Sequence, residues 1–140
     1  MDEQLCFALY TASRAMTACY RPVLDAIGLT YPQYLVMLVL WERGEAAVTA
    51  IGNALQLETG TLSPLLKRLE GSGFVARTRQ ADDERSVLVT LTPAGEALEA
   101  EAEKVQSHIW DAAGLSTAQA VELRTTLHAL TERLRAASNQ

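Results

Sequence analysis

Residues 59–92 constrain the fold of this chain more than any other stretch of its sequence. Four leucines recur there at the spacing of one buried helix face: Leu62, Leu65, Leu66 and Leu69. Gly71 and Gly73 predict the end of that helix, because glycine tolerates the left-handed backbone that ends one. Three segments are predicted to follow: strands over 74–79 and 86–92, and a polar loop over 80–85 between them. This stretch therefore predicts a helix, a tight turn and a two-stranded hairpin.

The same stretch concentrates positive charge in an acidic chain. The 140 residues carry a formal net charge of −5, with 12 lysines and arginines in total. Five of these fall within 19 positions: Lys67, Arg68, Arg77, Arg79 and Arg85. A local basic patch can contact DNA phosphates even on an acidic protein. A helix followed by a basic wing favours a winged helix-turn-helix, and the alternative is an ordinary helix and hairpin in any small α+β domain.

Length and composition predict one cytoplasmic domain. Hydrophobic residues make up 49% of the chain, enough for a substantial core. Asp2 and Glu3 stand where a secretory signal would be basic, and no apolar run is long enough to span a membrane. Two cysteines are too few for a disulfide framework, which fits a reducing cytosol.

Metal, cofactor and common catalytic motifs are not predicted. Cys6, Cys19, His108 and His128 lack the spacing of metal ligands. The chain also has no phosphate-binding glycine loop and no recognisable serine-nucleophile motif.

Helical periodicity extends over most of the remaining sequence. Helices are predicted over about 3–26, 30–41, 49–56, 93–112 and 116–137. Thr30 is expected to cap the second, with Pro32 in its first turn. Ile51, Ala54 and Leu55 are expected to face inward on the third. Pro64 is expected in or near the first turn of the helix that begins near residue 59, since a deeper proline would remove a backbone hydrogen bond. The predicted fold is mainly α with a small β-wing.

The terminal helices carry more apolar surface than a small central unit can cover. On the first helix, Leu5, Leu9, Ala12, Met16, Cys19 and Val23 lie on one stripe. We expect residues of about 1–28 and 93–140 to form a dimerisation region around a DNA-binding unit of about 30–92. A two-fold dimer would place two recognition helices about 34 Å apart, matching an inverted repeat in double-stranded DNA. The alternative is a monomer whose terminal helices cover one another.

Three sequence runs resemble a known family. DDERSVLVTLTPAG is similar to the wing and following strand of MarR-type winged-helix repressors. LCFALYTASRAMTACYRPVLDAIGLTYPQYLVMLVLWE is similar to the OhrR-type branch, which senses organic hydroperoxides, as is TGTLSPLLKRLE. That branch is marked by an early cysteine and by tyrosines after it. The matching positions here are Cys6, Tyr10, Tyr20 and Tyr31.

The resemblance implies a homodimeric repressor that leaves its operator when an organic hydroperoxide oxidises Cys6. It also implies that tyrosine hydroxyls hold the thiolate, some of them reaching across the dimer. The positions that match are Tyr20 and Tyr31, with Tyr10 nearby. Oxidation would then rotate the two DNA-binding units out of register.

Cys6 is expected in the second turn of the first predicted helix, near the end where the helix dipole favours negative charge. Thiolates react with hydroperoxides far faster than thiols, so this position suits a sensor, although Asp2 and Glu3 oppose the effect. The alternative is an inert packing cysteine. Cys19 lies about 20 Å further along one helix, beyond the roughly 7 Å between Cα atoms that a disulfide allows. Oxidised Cys6 is therefore expected to end as a sulfenic acid, a mixed disulfide or an intersubunit disulfide.

The recognition helix and the hairpin supply the predicted DNA contacts. The candidates are Thr59, Thr61, Ser63, Pro64, Lys67, Arg68, Arg77, Arg79 and Arg85. Helix N-termini and hydroxyls suit phosphates, and Arg85 would enter the minor groove or hold a phosphate. Asp82 or Asp83 is expected to pair with Arg85 and shape the wing. The alternative for each charged residue is a solvated surface position.

Three other functions remain open from the sequence. A small aromatic ligand, bound between the first helix and the DNA-binding unit by Tyr10, Tyr20 and Trp41, would release DNA without any cysteine. A thiol peroxidase using Cys6 would turn over repeatedly, but no resolving cysteine is recognisable. A protein-interaction module would show no salt-dependent DNA binding.

Overall fold

The computed structural model describes residues 4–80 and 83–139, and the side chains of residues 83–85 lie outside that description. In chain order the elements are α1 (Leu5–Asp25), α2 (Tyr31–Arg43), β1 (Glu45–Ala47), α3 (Val48–Leu55), α4 (Thr59–Gly71), β2 (Val75–Gln80), β3 (Asp83–Leu91), α5 (Pro93–Ala113) and α6 (Thr117–Ser138). The prediction of a mainly α protein with a small β-wing is confirmed. None of the described helices has the length and apolar character needed to cross a membrane.

The sheet has three antiparallel strands in the order β1-β3-β2. The strand β1 was not predicted, because three residues carry too little alternation to be recognised. Its central residue Ala46 is buried opposite Val89 of β3. The loop predicted over 80–85 is shorter than expected, since Gln80 ends β2 and β3 already begins at Asp83. A register shift between Arg79 and Gln80 marks the point where the hairpin becomes irregular.

The helix α2 forms the centre of the core. As predicted, Thr30 caps it: the Thr30 side chain accepts from the backbone N–H of Gln33, and the Gln33 side chain accepts from the backbone N–H of Thr30. The helix is apolar nearly all round and buries Tyr34, Val36, Met37, Val39 and Leu40. The predicted leucine face of α4 lies in the same core, so this helix packs directly against the centre of the fold.

A glycine lets α5 begin against the junction between α4 and β2. Gly95 is buried, and a Cβ atom there would collide with the carbonyl oxygen of Phe74. Thr92 caps α5, its hydroxyl donates to the Gly73 carbonyl, and its backbone N–H donates to the Phe74 carbonyl at 3.1 Å. The wing and the end of α4 are therefore joined firmly to the start of α5.

One helix prediction was wrong in detail. Ala54 is exposed rather than inward, because Ile51 and the half-buried Leu55 already fill the side of α3 that faces the core. Pro64, expected in or near the first turn of α4, is the sixth residue of that helix and lies at the start of its second turn. Pro64 has no N–H to donate to the carbonyl of Gly60, and both residues are exposed, so water can satisfy that carbonyl.

The terminal helices leave most of their apolar surface uncovered within one chain. Leu24 is the only residue of α1 that is fully buried among the described residues, and α6 buries none. Large apolar side chains on α1, α5 and α6 remain exposed: Leu5, Phe7, Tyr10, Met16, Trp110, Val121, Leu123 and Leu134. Exposed apolar surface on this scale is typical of an interaction face.

Candidate functional site

The outer face of α4 carries every residue of this helix that was predicted to contact DNA. Its inner face is buried through four leucines, so the opposite side chains point away from the core. All six predicted residues are exposed: Thr59, Thr61, Ser63, Pro64, Lys67 and Arg68. Because the helix begins at Thr59 without a side-chain cap, its first backbone N–H groups face the solvent and can meet an anion.

Arg77 has a partner within the protein. Its guanidinium Nη2 donates to Oε1 of Glu70 at 3.1 Å, and its backbone N–H donates to Oε2 of the same carboxylate at 3.3 Å. The Arg77 side chain beside Glu70 lowers the pKa of that carboxyl below its usual value. Arg77 is thus tied to the end of α4, whereas Arg79, two residues further along β2, is exposed.

The tip of the wing is described only in part. Asp82 lies outside the described residues, as do the side chains of Asp83 and Arg85. Their predicted roles in holding a phosphate and shaping the wing therefore stay predictions.

A groove separates α4 from the sheet. It has a volume of about 380 Å³, and hydroxyl groups and one guanidinium line much of it. The polar lining residues are Thr49, Thr59, Ser63, Arg77 and Ser86. Hydroxyl and guanidinium donors at the start of a recognition helix are suited to phosphate oxygens.

Cys6 lies in the first turn of α1, one turn earlier than predicted, because the helix begins at Leu5. Its side chain is exposed. Gln4 gives the helix no side-chain cap, and no acidic residue lies in the first turn. The exposed sulfur therefore lies at the N-terminal end of a helix, the end that carries the positive pole of the helix dipole.

Three tyrosines and a tryptophan form a continuous aromatic cluster between α1 and α2, called the aromatic cluster below. Ring centroids are 4.9 Å apart for Tyr20 and Tyr31, 5.7 Å for Tyr20 and Tyr34, and 6.4 Å for Tyr34 and Trp41. Burial, together with Tyr31 and Tyr34, raises the pKa of Tyr20 to about 12. Burial also raises the pKa of Tyr31 and of Tyr34. These phenols therefore stay protonated at neutral pH and remain hydrogen-bond donors.

Tyr34 was not singled out from the sequence, because it lies in the middle of an apolar helix and resembles a core residue. It is buried, and its hydroxyl donates to the side-chain oxygen of Gln106 on α5 at 3.2 Å. The signal that points to it is its spacing from Tyr31, since residues three apart lie on one helix face.

Within one chain, the structure does not bring Cys6 to Tyr20 or Tyr31. The helix α1 is continuous from Leu5 to Asp25, so the 14 residues from Cys6 to Tyr20 correspond to about 21 Å of rise. Tyr10 is also separate from the aromatic cluster: it is exposed, and the Arg14 guanidinium lies 5.3 Å from its ring centroid. Cys19 is equally distant from Cys6 along the same helix, which excludes a disulfide between them in one chain.

The residues proposed to line one ligand cleft border two different cavities. Tyr20 borders an apolar cleft of about 390 Å³ between α1, α5 and α6. Trp41 and Tyr34 line a groove of about 520 Å³ between α2 and α5, whose rim carries Glu42, Glu99 and Glu103. Neither cavity includes Tyr10 among its lining residues.

Comparison with known proteins gives one consistent result. The family model described as "Transcriptional regulator SarA/Rot" matches residues 18–107. The chain is 42% identical over 134 residues to the organic hydroperoxide resistance transcriptional regulator of Bacillus subtilis (strain 168), covering 96% of this chain and 91% of that protein. Two solved structures of AbfR bound to DNA, one reduced and one overoxidised, align with TM-scores of 0.82 and 0.80 at 37% and 38% identity. Each alignment covers 97% of this chain and 93% of the other.

Proposed function

The chain belongs to the MarR/SarA family of winged-helix, DNA-binding transcriptional regulators, and from that premise we propose that it is a repressor controlled by oxidation of Cys6. The effector is an organic hydroperoxide, and the reduced protein is the form that holds the operator. The observation that carries the proposal is the exposed Cys6 thiol in the first turn of α1, in a chain that aligns almost end to end with an organic hydroperoxide resistance regulator.

The reaction at Cys6 is a two-electron oxidation. The thiolate sulfur attacks the terminal oxygen of the hydroperoxide, a sulfur–oxygen bond forms and the oxygen–oxygen bond breaks. The alkoxide that leaves takes a proton and becomes an alcohol, and the cysteine becomes a sulfenic acid. A second thiol can then convert the sulfenic acid to a disulfide and release water. The apolar side chains of Leu5, Phe7 and Leu9 around Cys6 favour alkyl peroxides over hydrogen peroxide.

A second copy of the chain supplies the tyrosines that hold the thiolate. Tyr20 and Tyr31 of the same chain are too distant from Cys6, but their rings lie together and their hydroxyls stay protonated. The apolar faces of α1, α5 and α6 that a single chain leaves exposed support a homodimer. Residues of about 1–28 and 93–140 form its dimerisation region, and about 30–92 form the DNA-binding unit.

The DNA-binding unit meets an inverted repeat through α4 and the wing. Thr59, Thr61, Ser63 and Pro64 approach the bases and phosphates, while Lys67 and Arg68 supply positive charge one turn further on. Arg79 and Arg85 extend the contact along the wing, where Asp82 or Asp83 orients Arg85. Arg77 acts through its pairing with Glu70, which fixes β2 against α4.

Operator binding with and without oxidant tests the proposal. An inverted-repeat operator from the gene's own promoter region is titrated with wild type, Cys6→Ser and Cys19→Ser before and after one equivalent of cumene hydroperoxide. One equivalent is chosen so that the cysteine is not overoxidised, because overoxidised AbfR is itself found on DNA. We expect release by wild type and Cys19→Ser but not by Cys6→Ser. Release by Cys6→Ser would contradict the proposal.

A ligand-released repressor is the second candidate, favoured by the groove that Trp41 and Tyr34 line between α2 and α5. It predicts that a small aromatic molecule displaces operator from a Cys6→Ser/Cys19→Ser double variant. The first candidate predicts that this double variant stays on DNA under every oxidant and ligand condition.

A further inference from the structure

The aromatic cluster is connected to the wing through one hydrogen bond from Trp41. The indole N–H of Trp41 donates to the carbonyl oxygen of Gly95 at 2.9 Å, linking α2 to the first turn of α5. At its other side, the Trp41 ring packs edge-on against Tyr34, with ring centroids 6.4 Å apart. The half-buried Trp41 side chain therefore contacts both the tyrosines of the aromatic cluster and the start of α5.

Gly95 lies where the wing and the recognition helix are both attached. Its Cα is so close to the Phe74 carbonyl that no side chain fits between them. Phe74 stands between the end of α4 and the start of β2, and its carbonyl also accepts from the backbone N–H of Thr92 at 3.1 Å. Any displacement of Gly95 must therefore move the Phe74 segment, because close-packed backbone leaves no space to absorb it.

We propose that Trp41 is the positioning residue that couples the aromatic cluster to the DNA-reading wing. This inference rests on the proposed function, because it assumes that oxidation of Cys6 disturbs the tyrosines. When Tyr20 and Tyr34 move, the Trp41 ring moves with them. The hydrogen bond from its indole N–H to the Gly95 carbonyl then either displaces Gly95 or breaks. The recognition helix and β2 then change their angle, through Phe74, relative to α2.

The Tyr34–Gln106 hydrogen bond provides the matched comparison. It also joins an aromatic residue of α2 to α5, but it meets α5 near Gln106, three turns from the junction with the wing. If coupling depends on the contact at Gly95, loss of the Tyr34 hydroxyl has little effect on the response to oxidation. If coupling passes generally through α2 and α5, loss of the Tyr34 hydroxyl and loss of the Trp41 N–H weaken that response equally.

The test measures operator affinity in the reduced and oxidised states for wild type, Trp41→Phe and Tyr34→Phe. Trp41→Phe keeps an aromatic ring and removes the N–H donor, and Tyr34→Phe keeps the ring and removes the hydroxyl. We expect reduced Trp41→Phe to bind operator within about threefold of wild type. The ratio of its reduced to its oxidised operator affinity should be about tenfold smaller than that ratio in wild type. Tyr34→Phe is expected to respond as wild type does.

Three results would overturn the inference. They are a full oxidative response in Trp41→Phe, an equal loss of response in Tyr34→Phe, and a reduced Trp41→Phe protein that already binds as weakly as the oxidised wild type. A wild type that keeps its operator after oxidation of Cys6 would instead reject the proposed function, and this inference with it.

Fluorescence gives a second measurement that needs no change at Trp41. The chain has two tryptophans, so Trp110→Phe leaves Trp41 as the single emitter. We expect its emission to shift on addition of one equivalent of cumene hydroperoxide, and to stay constant in Trp110→Phe/Cys6→Ser. An emission that is unchanged in Trp110→Phe while the operator is released would overturn the inference, whether or not Trp41→Phe folds.

Discussion

Glu70 at the end of α4 holds Arg77 of β2 by two contacts, one to its guanidinium and one to its backbone N–H. This pairing gives a positively charged residue of the wing a structural role and fixes the strand against the recognition helix. Because Arg77 lowers the pKa of the Glu70 carboxyl, the charged form of Glu70 is favoured by folding.

The first prediction concerns the pH dependence of this pair. A carboxyl with a lowered folded pKa stabilises the protein above its unfolded pKa and loses that contribution as the pH falls through the folded value. We expect Glu70→Gln to be less stable than wild type in urea at pH 7, and the difference to shrink as the pH falls below the usual pKa of a glutamate carboxyl. Glu101→Gln, which removes the exposed pairing with Lys104, serves as the control and should change stability by less than about 0.5 kcal/mol. A difference between Glu70→Gln and wild type that persists at acid pH would contradict this account.

The second prediction concerns Gly95. A methyl group there collides with the Phe74 backbone, so we expect Gly95→Ala to lower the free energy of unfolding by about 3 kcal/mol in urea denaturation. Gly71→Ala is the control, because nothing lies within 4 Å of its added methyl group. The control should unfold at the wild-type urea concentration or slightly above it. Equal stability of the two variants would show that the backbone at Gly95 and Phe74 can move apart to admit a methyl group.

The third prediction concerns Tyr20. Its folded pKa of about 12 exceeds the usual value of 10.0, so its neutral form is favoured by folding. The corresponding stability is complete below pH 10 and is lost as the pH rises towards 12. We expect Tyr20→Phe to lose stability less steeply than wild type over this range, and to lack the latest step in an absorbance titration at 295 nm. A Tyr20→Phe variant that keeps the latest step and instead lacks a step near the usual value of 10.0 would show that Tyr20 ionises as a solvated phenol.

The fourth prediction concerns the salt dependence of DNA binding. Lys67 lies on the exposed face of α4 and occurs once in each subunit of the proposed homodimer, so Lys67→Ala should reduce the slope of log affinity against log salt by about 1.8 per dimer. Lys104→Ala, on α5 and paired with Glu101, should leave the slope unchanged. Fluorescence anisotropy with a labelled operator at several salt concentrations measures both. A slope that changes equally in both variants would show that Lys67 is not a specific phosphate contact.

The fold was predictable where the sequence carried a local signal. The leucine spacing of α4, the Thr30 cap and the glycines after residue 70 each reflect interactions within a few residues, and each was confirmed. The strand β1 was missed because its only support is the distant β3. Pro64 was expected in or near the first turn of α4, and it lies just beyond that turn, where an exposed helix tolerates the missing hydrogen bond.

The candidate site was predictable only in part, for the same physical reason. Cys6 and the exposed residues of α4 follow from position along a helix. The contact between the Tyr20 and Tyr34 rings, the bond from Trp41 to Gly95 and the pairing of Arg77 with Glu70 depend on how separate segments meet. No periodicity in the sequence encodes these long-range contacts. The separation of Cys6 from Tyr20 along α1 also could not be combined with the predicted thiolate site without the proposed second copy of the chain.

A titration of operator release against oxidation of Cys6 alone tests directly whether oxidation of this cysteine releases the operator. Cys19→Ser leaves one thiol per chain, and cumene hydroperoxide is added in fractional equivalents while anisotropy reports operator occupancy and intact mass reports oxidation. We expect operator release to follow the oxidised fraction of Cys6 and to be complete at about one equivalent per chain. An operator that stays bound while Cys6 is fully oxidised to the sulfenic acid would contradict it.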